Sequence, residues 1–102
     1  MGRPLRADLG GYVYHVLNRG NGRNVIFQKD GDYQAFEQVL IETQERVPGV
    51  RLLSYCLMPN HWHLVLWPKE DGELSEVMHW LSLTHTQRWH AHYRDVGSGH
   101  LY

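Results

Sequence analysis

The sequence predicts one α+β domain in which an antiparallel sheet is covered on one face by two helices. Three observations support this prediction. Short segments rich in Tyr, Val and Leu are typical of strands, two longer segments carry apolar residues at helical spacing, and turns containing Gly or Pro separate them. The 102 residues, 42% of them hydrophobic, are enough for a single core, so residues 1–102 are treated as one domain.

The first two elements are a strand and a helix. Residues 12–19 are rich in Tyr and Val and are bounded by glycines, which favours a strand. Residues 31–47 favour a helix that ends at Pro48-Gly49. Its apolar positions form one stripe at helical spacing, made by Tyr33, Phe36, Val39, Leu40 and Val47.

A hairpin and a second helix follow. Residues 50–57 and 61–67 are predicted to pair as strands around the tight turn at 58–60, and residues 74–93 to form a longer helix that ends before Gly97. Only residues 100–102 remain for a last strand. The order is therefore a ferredoxin-like βαββα(β) plan, an antiparallel sheet with both helices on one face.

Composition limits the classes of function. The net charge of −1 argues against a cationic coat for duplex DNA, but leaves room for local recognition of single strands. The one cysteine, Cys56, excludes an internal disulfide and is expected to be a small buried hydrophobe. No apolar run reaches membrane-spanning length, and residues 1–10 lack the apolar segment of a signal peptide, so a cytoplasmic protein is expected.

Two histidines on the predicted third strand are the main candidate site. Residues two apart on a strand lie on the same face about 6.6 Å apart, so His61 and His63 project together while Trp62 points to the core. Two imidazoles at this spacing can bind one divalent cation. The spacing alone still favours two solvated histidines, because a tight metal site needs a third ligand and supporting hydrogen bonds.

Other histidines have simpler interpretations. His85 lies on the buried stripe of the second helix and is expected to be hydrogen-bonded in or near the core. His15 can lie near the pair if the first and third strands are neighbours, but the sequence leaves open which face of the sheet it is on. Solvated surface is the interpretation for the four others, His79, His90, His92 and His100.

Several motifs together resemble one family. Residues 58–63 (MPNHWH) resemble the MPNHxH signature of HUH single-tyrosine transposases, and residues 14–16 (YHV) and 18–21 (NRGN) resemble a stretch of the group of REP-associated tyrosine transposases. Residues 3–6 and 99–102 resemble the N-terminal arm of that group and its segment after the second helix. With this resemblance, His61 and His63 are expected to be metal ligands.

The resemblance implies a mechanism on single-stranded DNA, often near a hairpin. The His pair and a third polar ligand hold Mg²⁺ or Mn²⁺, and a tyrosine attacks the phosphate to form a 5′-phosphotyrosine link. In the family, that tyrosine and the third ligand lie on a further helix. We therefore expect no catalytic residue among these 102, an inactive chain with weak or absent metal binding, and a truncated or decayed gene product. Tyr102 is expected to lie on a frayed end.

Four residues are candidates for DNA contact, because Arg and Asn bind phosphates and base edges: Arg6, Arg19, Asn21 and Arg23. A solvated polar loop is the alternative interpretation of these residues. Two other functions stay open, namely a non-catalytic remnant that binds hairpin or single-stranded DNA and a ferredoxin-like metal or ligand-binding module. The sequence also leaves open whether the chain forms a homodimer.

Overall fold

The computed structural model describes residues 8–22, 25–93 and 101–102. Three strands and two helices follow in the predicted order: β1 (Tyr14–Arg19), α1 (Asp30–Arg46), β2 (Val50–Met58), β3 (His61–Pro68) and α2 (Glu73–Tyr93). The element bounds agree with the sequence-based ones to within two residues. No helix in the described ranges is long and apolar enough to cross a membrane.

The central strand of the sheet is β3. The strand order is β1-β3-β2, and both neighbours run antiparallel to β3. Leu17 of β1 and Cys56 of β2 lie directly opposite His63 on either side. Residues opposite each other in an antiparallel sheet share a face, so the register decides which side chains surround the His pair.

Both helices cover one face of this sheet, which confirms the predicted layer arrangement. Trp62 and Leu64 of β3 are 0% exposed and lie in the same core as Phe36 of α1 and Leu81 of α2. The Phe36 and Trp62 ring centroids are 5.3 Å apart. The other face of the sheet, here called the open face, carries His61 and His63, together with the exposed Leu17, Cys56 and Met58.

An irregularity in β2 overturns the prediction for Cys56. Leu52 lies opposite Leu66 while Ser54 lies opposite Val65, so Leu53 is an extra residue in the strand. An extra residue of this kind reverses the alternation of faces beyond it. Cys56 is consequently exposed on the open face instead of buried, and Tyr55 and Leu57 take the helix-covered side.

The last two residues contradict the expected frayed end. Leu101 is 1% exposed, and its carbonyl accepts a hydrogen bond from the backbone N–H of Asn21 at 2.7 Å. The Tyr102 hydroxyl accepts from Trp62 Nε1 at 2.8 Å and also hydrogen-bonds to His85 Nδ1. Apolar burial and three hydrogen bonds hold these residues beside the end of β1, where the fourth strand of a βαββαβ plan belongs.

Candidate metal centre and nucleic-acid interface

His61 and His63 project from β3 onto the open face, while Trp62 between them is fully buried. This confirms the predicted orientation of the three residues. The two imidazole rings are 5.1 Å apart between centroids and inclined at 79°. The pair is partly exposed, so it can be reached from solvent.

The Nδ1 atom of His61 is held by the residue before it. Asn60 Oδ1 lies 2.8 Å from His61 Nδ1, and because an amide oxygen only accepts, Nδ1 is the protonated nitrogen and Nε2 carries the lone pair. The turn that presents Asn60 is fixed by the backbone. Ile26 N–H and Phe27 N–H donate to the Pro59 carbonyl at 2.7 and 3.0 Å, and Gly20 N–H donates to the Asn60 carbonyl at 2.9 Å.

The Nδ1 atom of His63 is also engaged, by His15 of the neighbouring strand. His15 Nε2 lies 2.9 Å from His63 Nδ1, and the two ring planes are inclined by only 18°, with their centroids 5.0 Å apart. The expectation that His15 lies near the pair if the strands are neighbours is therefore confirmed. In both histidines of the pair, Nε2 is the nitrogen left for a further ligand.

Electrostatics favour the neutral form of His63. Desolvation lowers its pKa, and the neighbouring His15, His61 and Arg19 lower it further. A neutral imidazole is the form that coordinates metal ions. The environment of His63 therefore favours the form of this residue that ligation needs.

The donor set fits only part of a metal site. Within the described ranges, no group of three or more His, Cys, Asp or Glu side chains is placed to hold an ion. Two imidazole nitrogens suit Zn²⁺ better than Mg²⁺ or Mn²⁺, which prefer oxygen and need water, phosphate or another side chain to complete their shells.

The structure describes two of the four residues that were predicted to contact DNA. Arg19 is exposed at the end of β1, directly opposite His61. Among the described residues, it is the positively charged side chain on the open face next to the His pair. Asn21 is exposed two residues later, with its backbone bonded to Leu101. Arg6 and Arg23 lie outside the described residues.

The tyrosines are engaged elsewhere or lie away from the pair. Four tyrosine hydroxyls hydrogen-bond to residues other than His61 and His63: Tyr14 to the Leu9 carbonyl, Tyr55 to Glu37, Tyr93 to Asp32, and Tyr102 to Trp62 and His85. Tyr33 stacks on Phe27 in the helix layer, and Tyr12 precedes β1 at the end of the sheet away from His61. In the described residues, no tyrosine hydroxyl has a hydrogen bond to the pair.

Tyr93 and Tyr102 are also poor nucleophiles because their hydroxyl groups lose the proton less readily than an ordinary tyrosine does. Burial, followed by the hydrogen bond to Asp32, raises the pKa of Tyr93 to about 12. Burial also raises the pKa of Tyr102. A raised pKa disfavours the phenolate that attacks phosphorus. Tyr93 bonds to Asp32 of α1, so it lies in the helix layer, on the opposite face of the sheet from the His pair.

Sequence reasoning missed the two partners of the His pair. The signal for Asn60 was present, because an amide directly before the first histidine can reach its ring. His15 was considered only as a neighbour, because its bond to His63 depends on the register between β1 and β3.

Comparisons with known proteins agree with this fold. The sequence model described as "Transposase IS200 like" matches residues 9–102. A solved structure of a REP-associated tyrosine transposase bound to a REP hairpin has the same fold, with a TM-score of 0.66 at 15% identity. The match covers 95% of this chain and 55% of that one, so this chain spans just over half the length of that transposase. No curated protein matches the sequence. The chain therefore belongs to the IS200-like transposase family, a family of enzymes that act on DNA.

Proposed function

We propose that this chain is the metal-binding and DNA-binding part of a transposase that cleaves and rejoins single-stranded DNA near a hairpin. The observation that carries the proposal is the His pair on the open face, with both Nδ1 atoms hydrogen-bonded and both Nε2 atoms left for a cation. The family match and the hairpin bound to the related structure support DNA as the substrate.

His61 and His63 would hold the ion through Nε2. A divalent Mn²⁺ or Mg²⁺ there would act as a Lewis acid on the scissile phosphate. The contribution of this chain is to orient both rings, through the hydrogen bonds of Asn60 and His15. Trp62 and Leu64 anchor the strand in the core, so the two ligands are carried by a rigid element.

Arg19 and Asn21 would guide the strand to the ion. Arg19 lies opposite His61 on the open face, where a guanidinium can pair with a phosphate next to the scissile one. Arg6 and Arg23 are proposed as further contacts on the residue types alone. Of the four candidates, Arg19 is the one that lies directly opposite a proposed metal ligand.

A second candidate is a DNA-binding module without cleavage activity. It is favoured by the positions of the tyrosines, none of which has a hydroxyl hydrogen-bonded to the pair in the described residues. In the first candidate, the attack is proposed to come from a tyrosine beyond these 102 residues, as the family resemblance implies. A metal module with no role on nucleic acid is the least supported, given the family match.

The test of DNA recognition uses a fluorescent hairpin with a single-stranded tail. Replacing Arg19 with Ala is expected to weaken binding about fivefold to tenfold and to lower the slope of log K against log salt by about 0.7, because one phosphate contact is lost. Fluorescence anisotropy over a salt series measures both quantities.

The matched control for this test is Arg46→Ala, which removes an exposed arginine from the end of α1 on the helix layer. Binding by this variant is expected to equal that of the wild type. If both variants lose affinity equally, or if neither does, then Arg19 does not contact the DNA.

The test of cleavage asks whether this chain forms a covalent DNA adduct. Covalent attack needs the nucleophile within about 3–3.5 Å of the phosphorus and in line with the leaving oxygen. We expect no adduct on a denaturing gel after incubation with labelled hairpin DNA and Mn²⁺. A slow band that disappears in Tyr12→Phe, Tyr93→Phe or Tyr102→Phe would identify that tyrosine as the nucleophile and contradict the expectation.

A further inference from the structure

We infer that His15 is a positioning residue for the His pair, which holds His63 in the tautomer whose Nε2 can bind a metal ion. The inference rests on the proposed function, because it assigns a role within the same site. His15 lies one strand away and reaches the pair only through His63.

The geometry of the contact is specific to two side chains. Leu17 is directly opposite His63 in the register, so His15 approaches from the diagonal position two residues earlier on β1. Its Nε2 atom is 2.9 Å from His63 Nδ1, within hydrogen-bond distance, and the two ring planes are within 18° of parallel, so the bond lies close to both ring planes. The contact therefore fixes both the rotation of the His63 ring and the nitrogen that faces outward.

The direction of this hydrogen bond decides whether His63 can be a ligand. If His63 Nδ1–H donates to His15 Nε2, the Nε2 atom of His63 keeps its lone pair. If His15 Nε2–H donates to His63 Nδ1, the proton of His63 sits on Nε2 and blocks coordination. A cation at Nε2 therefore requires the first arrangement, in which His15 is the acceptor and carries its own proton on Nδ1.

The two histidines of the pair differ in this respect. The partner of His61 is an amide oxygen, which can only accept, so the tautomer of His61 is set before any metal binds. The partner of His63 is a second imidazole, which can accept or donate. Loss of a hydrogen bond between a metal-ligating histidine and its partner residue typically lowers metal affinity tenfold to a hundredfold. The affinity of the site thus depends on His15 through the lone pair that it offers to His63.

The experiment compares Zn²⁺ binding by calorimetry in the 102-residue chain, because Zn²⁺ accepts imidazole ligands without needing oxygen. His15→Phe keeps an aromatic ring on His63 but removes the acceptor, and is expected to lower Zn²⁺ affinity about tenfold. His15→Gln restores an acceptor oxygen and is expected to remain within about threefold of the wild type. His79→Phe, which changes an exposed histidine on α2, is the matched control and is expected to bind as the wild type does.

Ring ¹⁵N spectra give a readout that a purely structural role would not move. In the Zn²⁺-loaded wild type we expect His63 protonated on Nδ1 and metal-bound through Nε2, with no metal shift on His15. A metal-bound His15 nitrogen, or an unchanged affinity in His15→Phe, would overturn the inference while leaving the His pair as a site. If His63→Ala binds Zn²⁺ as tightly as the wild type, the proposed metal site itself fails, and the role of His15 fails with it.

Discussion

Replacing Trp62 with Ala is expected to lower the free energy of unfolding by about 3–5 kcal/mol, the range for truncating a large buried aromatic residue. Trp62 is 0% exposed between the two proposed ligands, and its ring packs 5.3 Å from that of Phe36. Its Nε1–H also donates to the Tyr102 hydroxyl at 2.8 Å, so truncation leaves that hydroxyl with one partner fewer. Urea unfolding followed by circular dichroism measures the loss.

The same strand supplies the control for this prediction. Trp67 lies five residues later on β3 with its side chain turned to the open face, 41% exposed. Trp67→Ala removes the same chemical group and is expected to cost less than about 1 kcal/mol, as most exposed substitutions do. Equal losses in the two variants would mean that β3 does not present Trp62 to the core.

Acidification from pH 6.5 to pH 4 is expected to lower the free energy of unfolding by up to about 3 kcal/mol through His85 alone. This residue is 4% exposed, and desolvation lowers its pKa to about 4, although nearby Asp32 opposes the shift. The unfolded chain titrates near 6.5, so between these two pH values it binds a proton that the folded protein does not. Stability from His85 is therefore fully present above pH 6.5 and lost as the pH falls toward 4.

Two carboxylates contribute in a lower pH range and do not obscure this effect. The hydrogen bonds from Arg88 lower the pKa of Glu42 to about 2. For Asp32, bonds from Tyr93 and from backbone amides lower the pKa against the opposing effect of desolvation. Both contributions are complete above the ordinary carboxyl pKa and are lost progressively as the pH falls from that value through the lowered ones, mostly below the range of the His85 effect.

The variants His85→Gln and His79→Gln separate the histidines on α2. His79 is exposed on the same helix and serves as the matched control. Chemical unfolding at intervals between pH 7 and pH 4 gives the free energy of unfolding as a function of pH, and the slope of that curve counts the protons taken up on unfolding. We expect about one proton fewer in His85→Gln and the wild-type number in His79→Gln. A wild-type slope in both variants would show that His85 does not carry this pH dependence.

Much of the fold and half of the site followed from local sequence patterns. The period of two in β3 placed His61 and His63 on one face and Trp62 on the other, because successive side chains of a strand alternate. The helical stripes identified the buried positions of α1 and α2, including His85. The motifs in residues 14–21 and 58–63 pointed to the transposase family that the comparison confirmed.

Non-local contacts decided the rest. Sequence patterns could not reveal the extra residue at Leu53, because a strand of nine residues with apolar side chains on both faces gives no signal for its register. That irregularity moved Cys56 from the core to the open face.

The sequence by itself determined the order of elements, the face of the His pair and the family, since each depends on residues close together in the chain. Only the tertiary structure decided which atoms hydrogen-bond to those histidines and where residues 101–102 pack in the fold. The bond from His15 to His63 joins residues 48 positions apart, and Tyr102 meets Trp62 across 40. Contacts at that separation depend on strand pairing and helix packing, which local periodicity does not encode.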